Sequence, residues 1–334
     1  MNMRTKLYMI ALAAISMMLG SCSDSNSEFS QDYLADTPIK LNVSVDEPTT
    51  RAGYSNAVLP EGFWLDVTQD QNNKNSKYNY QVNVKKVGDS WKTYNAKEGI
   101  SVNVGDEITM LWANMSNDAI ISGGNQNIND YISTTEDQST EDKLKGADLL
   151  VMTKTTVTPS TAGIEVDFKH AMSKINLTIE LGSEYEFSKE DIDLKITEVK
   201  IDGSVEKAKC KIDTYDYIAF EDPTNDNPPT ITPLYTGATP FSKAEDGTIT
   251  KASATYEAIL IPQYIESGNF TVSFKVDGKL YEWTYKNETR LPLYPTTAYT
   301  LKLIAGDDKV QPVSFSVAPW GEGNGKDGEE KETD

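Results

Sequence analysis

Phe270-Thr271-Val272-Ser273-Phe274-Lys275-Val276-Asp277-Gly278-Lys279-Leu280-Tyr281-Glu282-Trp283-Thr284-Tyr285 places two alternating runs on either side of an Asp-Gly pair. Phe270, Val272, Phe274 and Val276 alternate with polar residues, and Tyr281, Trp283 and Tyr285 do the same. An Asp-Gly pair tolerates the positive φ that both central residues of a two-residue hairpin turn require. The segment reads as two antiparallel strands, each with one buried face. Period two recurs along the chain. It is carried by Phe63/Leu65/Val67, Tyr80/Val82/Val84, Ile108/Met110/Trp112, Ile164/Val166/Phe168 and Ile175/Leu177/Ile179/Leu181. Further runs are Ile39/Leu41/Val43/Val45, Leu194/Ile196, Ala208/Cys210/Ile212, Tyr299/Leu301/Leu303 and Val313/Phe315/Val317, with a continuous apolar run at Ala258-Ile259-Leu260-Ile261. Helical signals are confined to short turns near 140–145 and 188–191. One buried face per strand is the mark of antiparallel sheets packed as sandwiches. The expected fold is all-β, with two tandem antiparallel β-sandwich domains over residues 38–183 and 184–320. The division falls near 180–189, and the strand over 175–181 fits either unit. No repeat of 20–50 residues is visible.

The N-terminus reads as an export signal. Arg4 and Lys6 precede an apolar run from Leu7 to Met18, followed by Leu19-Gly20-Ser21-Cys22 and a polar, acidic segment. The run is shorter than the roughly 20 residues a membrane span needs. Small residues before Cys22 resemble the lipobox of bacterial lipoproteins, in which the Cys thiol takes a lipid and the preceding peptide is removed. Residues 1–21 are then a signal peptide, 22–37 a flexible tether and 321–334 a disordered acidic tail.

Composition narrows the functions. The formal charge is −20, and it becomes −22 once residues 1–21 leave with Arg4 and Lys6. That balance argues against nucleic acid as a partner, because phosphate recognition needs Lys/Arg clusters. With Cys22 lipidated, Cys210 stands alone, so no intrachain disulfide is expected and a buried inert thiol is the reading. The single histidine, His170, disfavours His-based zinc sites and a Ser-His-Asp triad, and reads as a packed structural residue. No phosphate-binding glycine loop appears, and neither a cofactor nor a metal site is implied. The acidic segment Glu221-Asp222-Pro223-Thr224-Asn225-Asp226-Asn227 reads as a solvated loop without EF-hand spacing. Tyr78, Tyr80, Tyr94, Tyr215, Tyr217, Tyr264, Tyr281 and Tyr285 leave two readings open: a sugar-stacking surface, or cross-strand packing. Of 31 basic residues only Arg4, Arg51 and Arg290 are arginine. Arg51 lies in Pro48-Thr49-Thr50-Arg51-Ala52-Gly53, a polar stretch after the strand over 39–45, where a trypsin-like protease can reach it.

Several ordered segments together resemble the fimbrillin family of Bacteroidetes. They are the lipobox at Cys22, Thr50-Arg51-Ala52-Gly53, Val166-Asp167-Phe168-Lys169-His170-Ala171-Met172-Ser173-Lys174-Ile175, Ala258-Ile259-Leu260-Ile261-Pro262-Gln263, Pro295-Thr296-Thr297-Ala298-Tyr299-Thr300-Leu301 and Val317-Ala318-Pro319-Trp320. The resemblance implies two transthyretin-like β-sandwiches in a non-enzymatic pilus subunit that works in cell adhesion at the outer membrane, cell surface and fimbrium. It implies lipid on Cys22 as the membrane attachment, an arginine-specific protease that cuts between Arg51 and Ala52, and other pilus subunits as partners. Cleavage releases the strand carrying Ile39, Leu41, Val43 and Val45. A donor strand then fills the groove by β-augmentation, and in this sequence residues 310–320 match it, with Val313, Phe315 and Val317 as pocket fillers. Four buried apolar side chains at about 1.5–3 kcal/mol each imply a gross loss of roughly 6–12 kcal/mol on release. Two other roles fit the same segments: an uncleaved surface lipoprotein that binds a glycan or protein, and a pilus anchor that keeps its lipid and first strand.

Overall fold

The computed structural model describes residues 38–39, 41–45, 59, 61–68, 79–93, 100–101, 108–115, 127–157, 163–212, 218–306 and 310–320. Segments 1–21, 22–37 and 321–334 lie outside the described residues, as do Cys22, Arg51 and Ala52. No helix among the described residues is long and apolar enough to cross a membrane.

The fold is all-β, as the alternation predicts. The first sheet has seven strands: Leu41–Val45, Ile164–His170, Leu150–Val157, Ile108–Met115, Gly62–Thr68, Asn79–Val87 and Ser90–Thr93 in spatial order. The second has five: Leu234–Thr239, Ser253–Leu260, Ser173–Leu181, Thr297–Ala305 and Val310–Pro319. Facing it is a four-stranded sheet of Thr230–Ile231, Ile196–Asp202, Thr271–Val276 and Lys279–Thr284. A three-stranded sheet joins Asn127–Ser133 to Lys207–Ile212 and Ile218–Thr224, so strands from both halves of the chain share one ladder. Two pairs run parallel within this mainly antiparallel arrangement: Leu41–Val45 with Ile164–His170, and Ser173–Leu181 with Thr297–Ala305. Parallel partners need a long crossover, which local alternation does not reveal.

Ser173–Leu181 is the central strand of the five-stranded sheet. It pairs antiparallel with Ser253–Leu260 on one side and parallel with Thr297–Ala305 on the other. All its sheet partners therefore come from the second half of the chain. Ile175, Leu177, Ile179 and Leu181 are buried on one face, opposite Ile201, Val272, Phe274 and Val276 of the four-stranded sheet, and this is the larger core. A second core lies at the junction with the first sheet and includes Leu144, Val151, Ala171, Met172, Cys210, Ile259 and Trp320.

The Asp-Gly hairpin forms as read. Asp277 and Gly278 have φ of 49° and 80°, the signs of a type I′ turn. Val276 pairs with Lys279, and Phe274 stacks on its cross-strand partner Tyr281 with ring centroids 5.7 Å apart. The two helical signals become seven-residue helices, Glu141–Ala147 and Lys189–Lys195. Their N-cap side chains, Thr140 and Ser188, accept from the amides of Lys143 and Asp191. Leu194, expected on a strand, lies instead in the second helix and is exposed. Capping overrides a two-residue alternation, because Ser188 and Asp191 form a capping box.

Gly278→Val is expected to lower stability by about 1–2 kcal/mol, because a β-branched residue must adopt φ of 80° at the turn. Urea unfolding of the variant beside the parent measures it.

Candidate functional site

Two edge strands and the junction between the sheets bring together the residues that the sequence singled out. Leu41–Val45 forms one edge of the seven-stranded sheet and has a single sheet neighbour among the described residues. Leu41, Val43 and Val45 face Ile164, Val166 and Phe168 in register. Leu41 and Val45 are buried at 5% and 1% exposure, while Val43 is half-buried. On the alternate positions, Asn42 Nδ2 donates to Glu165 Oε1 at 2.7 Å, and the Ser44 hydroxyl donates to Asp167. Beyond them Phe168 packs edge-on against Phe63 with centroids 5.1 Å apart. Ile39 is separated from this strand: Pro38–Ile39 pairs with Ile100–Ser101 in a small sheet of its own. The Ile39 side chain lies outside the described residues.

The matched donor segment is also an edge. Val310–Pro319 closes the five-stranded sheet and, among the described residues, pairs antiparallel with Thr297–Ala305 alone. Its register shifts where Lys302 faces Ser314 and Leu303 faces Pro312, which leaves Val313 as the extra residue. An edge strand with a bulge tolerates the proline. Phe315 is half-buried between Tyr299 and Tyr285, with centroids at 5.9 and 6.2 Å. Val317 is 45% exposed. The Val313 side chain lies outside the described residues.

This strand ends in Trp320, which is buried in the junction. Its amide donates to the Thr296 carbonyl at 2.7 Å. Its ring stacks on His170 with centroids 4.3 Å apart and planes 2° from parallel. Nδ1 of His170 lies 2.9 Å from Asp148 Oδ2, and both side chains are buried. Lys174 Nζ lies 5.9 Å from the Trp320 ring centroid and 2.9 Å from Glu257 Oε2. Lys174 and Glu257 are almost fully buried. Gln138 completes the junction: its side chain accepts from Ile259 N at 2.7 Å and donates to Ile259 O at 2.8 Å.

His170 is thus the packed, hydrogen-bonded residue that its isolation in the sequence suggested. Its partner Asp148 was missed, as were Glu257, which pairs with Lys174, and Gln138, which bonds the Ile259 backbone. A signal existed, since Asp148 sits beside Leu149-Leu150-Val151 and Glu257 directly precedes the apolar run Ala258-Ile259-Leu260-Ile261, and a lone charge beside a buried strand must be paired. Cys210 is buried, and burial raises its thiol pKa, which suppresses the thiolate. Of the eight tyrosines considered, Tyr281 and Tyr285 are buried and Tyr264 is exposed. Tyr78, Tyr94, Tyr215 and Tyr217 and the side chain of Tyr80 lie outside the described residues. Asp222, in the acidic segment 221–227, pairs with Lys209 at 2.9 Å. No cluster of three His, Cys, Asp or Glu that could hold a metal occurs among the described residues.

These features define an all-β protein of packed sheets in which Leu41–Val45 and Val310–Pro319 are among the edge strands. The family model for fimbrillin-like proteins matches residues 50–320, and the chain belongs to that family. A solved structure from Bacteroides ovatus ATCC 8483, provisionally assigned to cell adhesion, superposes with a TM-score of 0.60 at 15% identity, covering 86% of this chain and 98% of that one. Another from Bacteroides uniformis ATCC 8492, with the same provisional assignment, gives 0.52 at 13% identity over 85% and 100%. At such identities the likeness establishes the fold. No curated protein matches the chain.

Glu257→Ala is expected to destabilise the protein by about 3–5 kcal/mol in urea unfolding, since it leaves the Lys174 ammonium without its carboxylate in a buried site. Adding Lys174→Met recovers much of that loss. A double variant as unstable as the single one would show that the two groups are not coupled.

Proposed function

We propose that this chain is a structural pilus subunit that works at the cell surface in adhesion. It reaches the outer membrane as a lipoprotein attached through Cys22. An arginine-specific protease then cuts after Arg51, the segment carrying Leu41, Val43 and Val45 leaves, and a strand from another subunit takes its place.

The observation that carries this reading is the pairing of Leu41–Val45. A strand with one neighbour leaves without breaking a ladder on its far side, yet its buried Leu41 and Val45 leave apolar pockets behind. Two such side chains are worth about 3–6 kcal/mol of burial. That is less than a four-residue count implies, because Val43 is only half-buried. The exposed edge of Ile164–His170 then offers unpaired backbone groups to an incoming strand. Family membership supports the same reading, and the family match begins at residue 50, next to Arg51.

The donor is the segment 310–320 with Val313, Phe315 and Val317. It occupies an edge of its own sheet, so donation requires it to leave Thr297–Ala305 and Trp320 to leave the junction. Partial exposure of Phe315 and Val317 makes the strand itself the weaker hold, and Trp320 the stronger one. The two units are divided where the chain passes from the first sheet to the five-stranded sheet.

Arg51→Ala is expected to leave a full-length, lipid-bearing protein and no polymers. The parent released from membranes should show an intact mass beginning at Ala52. Normal polymers from the variant would overturn the cleavage step, and a parent mass beginning at acylated Cys22 would mean that the first strand stays in place, as in an anchor.

A further inference from the structure

An open cleft of about 880 Å³ lies at the margin of the five-stranded sheet, beside the C-terminal strand. That volume falls within the range of about 300–1,000 Å³ typical of small-molecule sites. Its floor is aromatic: Tyr285, Tyr299 and Phe315. Tyr264 and Tyr294 form the rim, 63% and 47% exposed, with rings edge-to-face and centroids 6.1 Å apart. Large flat side chains left in water at a concavity mark a contact surface.

The rim is rigid. Tyr264 belongs to the strand Gln263–Ile265, which pairs with Leu291–Leu293, and Tyr294 follows directly. The Tyr294 amide donates to the Tyr299 hydroxyl at 2.8 Å, which pins rim to floor. A preorganised site loses less entropy when a ligand binds.

The polar groups favour one chemistry. Arg290 lines the cleft in a chain that otherwise uses lysine for nearly all its cations. Its planar guanidinium stacks and bonds in a fixed fork. Nε of Arg290 lies 2.8 Å from Glu266 Oε1, so its charge is paired with a carboxylate at the cleft's exposed edge. Asn287 and Thr289 add uncharged donors and acceptors. With a net charge of −20, the chain repels anionic ligands. Flat aromatic faces for an apolar C–H surface, next to neutral in-plane hydrogen-bonding groups, match a pyranose ring.

We propose that this cleft binds a neutral oligosaccharide, with Tyr264 and Tyr294 stacking on sugar rings and Arg290, Asn287 and Thr289 bonding its hydroxyls. Phe315 and Val317 line the cleft while the C-terminal strand sits on its own sheet. The site is therefore complete in the monomer before strand exchange, and donation of the C-terminal strand would remove one of its walls.

The test titrates the monomeric full chain with neutral tetrasaccharides of glucose, galactose and mannose, and compares Tyr264→Ala/Tyr294→Ala with Tyr264→Phe. Binding of at least one probe is expected, weakened tenfold or more in the double alanine variant and largely kept in the phenylalanine variant, which retains the ring. Thermal unfolding of the variants should match the parent, since both side chains are exposed. No binding by the parent to any probe, or equal binding by the double variant, would overturn the proposal. So would a double variant that binds the probes normally but fails to polymerise, which would make the rim a contact between subunits.

Discussion

Two residues, Ala171 and Met172, carry the chain from the first sheet to Ser173, where the five-stranded sheet's central strand begins, and a buried polar pair flanks this crossing on each side. His170–Asp148 precedes the crossing and Lys174–Glu257 follows it. Ala171, Met172 and Ser173 are each fastened. Ala171 N donates to Leu149 O, Met172 O accepts from Thr296 N, and Ser173 Oγ donates to Tyr294 O. Trp320 lies between the two pairs, stacked on one and beneath the ammonium of the other. A buried ion pair adds little net stability compared with apolar packing, but losing one partner is expensive. Each pair joins segments of one sheet, and Trp320, packed against both pairs, links the two sheets, so the junction constrains their relative placement as well as holding them together.

That constraint gives the edge strands their meaning. Leu41–Val45 borders the strand that ends at His170, and Val310–Pro319 runs straight into Trp320. Both edges therefore abut the same buried junction, one through its neighbour and one through its end. A stiff connection between them suits a subunit that gains a strand at one edge and gives one from another, because it keeps the two places in fixed relation as subunits follow one another.

The aromatic cleft draws on the same elements. The residues that fasten Ser173, at Tyr294, also form its rim, and the strand that ends at Trp320 forms one wall. The surface proposed for adhesion and the segment proposed for assembly are thus adjacent, and movement of the C-terminal strand alters both.

Alternation made the all-β fold legible in the sequence, because a strand's side-chain period is local. The Asp-Gly turn was equally legible, since positive φ is a property of two residues. The segments around His170, Ile259, Thr296 and Trp320 could be recognised one by one. Their convergence could not, because residues from Asp148 to Trp320 meet only when strands far apart in the chain pair. Both parallel pairings and the change of sheet at Ala171–Ser173 depend on crossovers that no local pattern encodes. The same holds for the tyrosines: period two marks a buried face, but Tyr264 and Tyr285 differ in exposure because one lies at a rim and the other on the floor below it. Sequence alone determined most of the segments that become strands and the apolar faces they carry, with Leu194, drawn into a capped helix, as an exception. Tertiary structure decided which strands are edges and which charges meet, because edges and ion pairs are relations between segments rather than properties of any one.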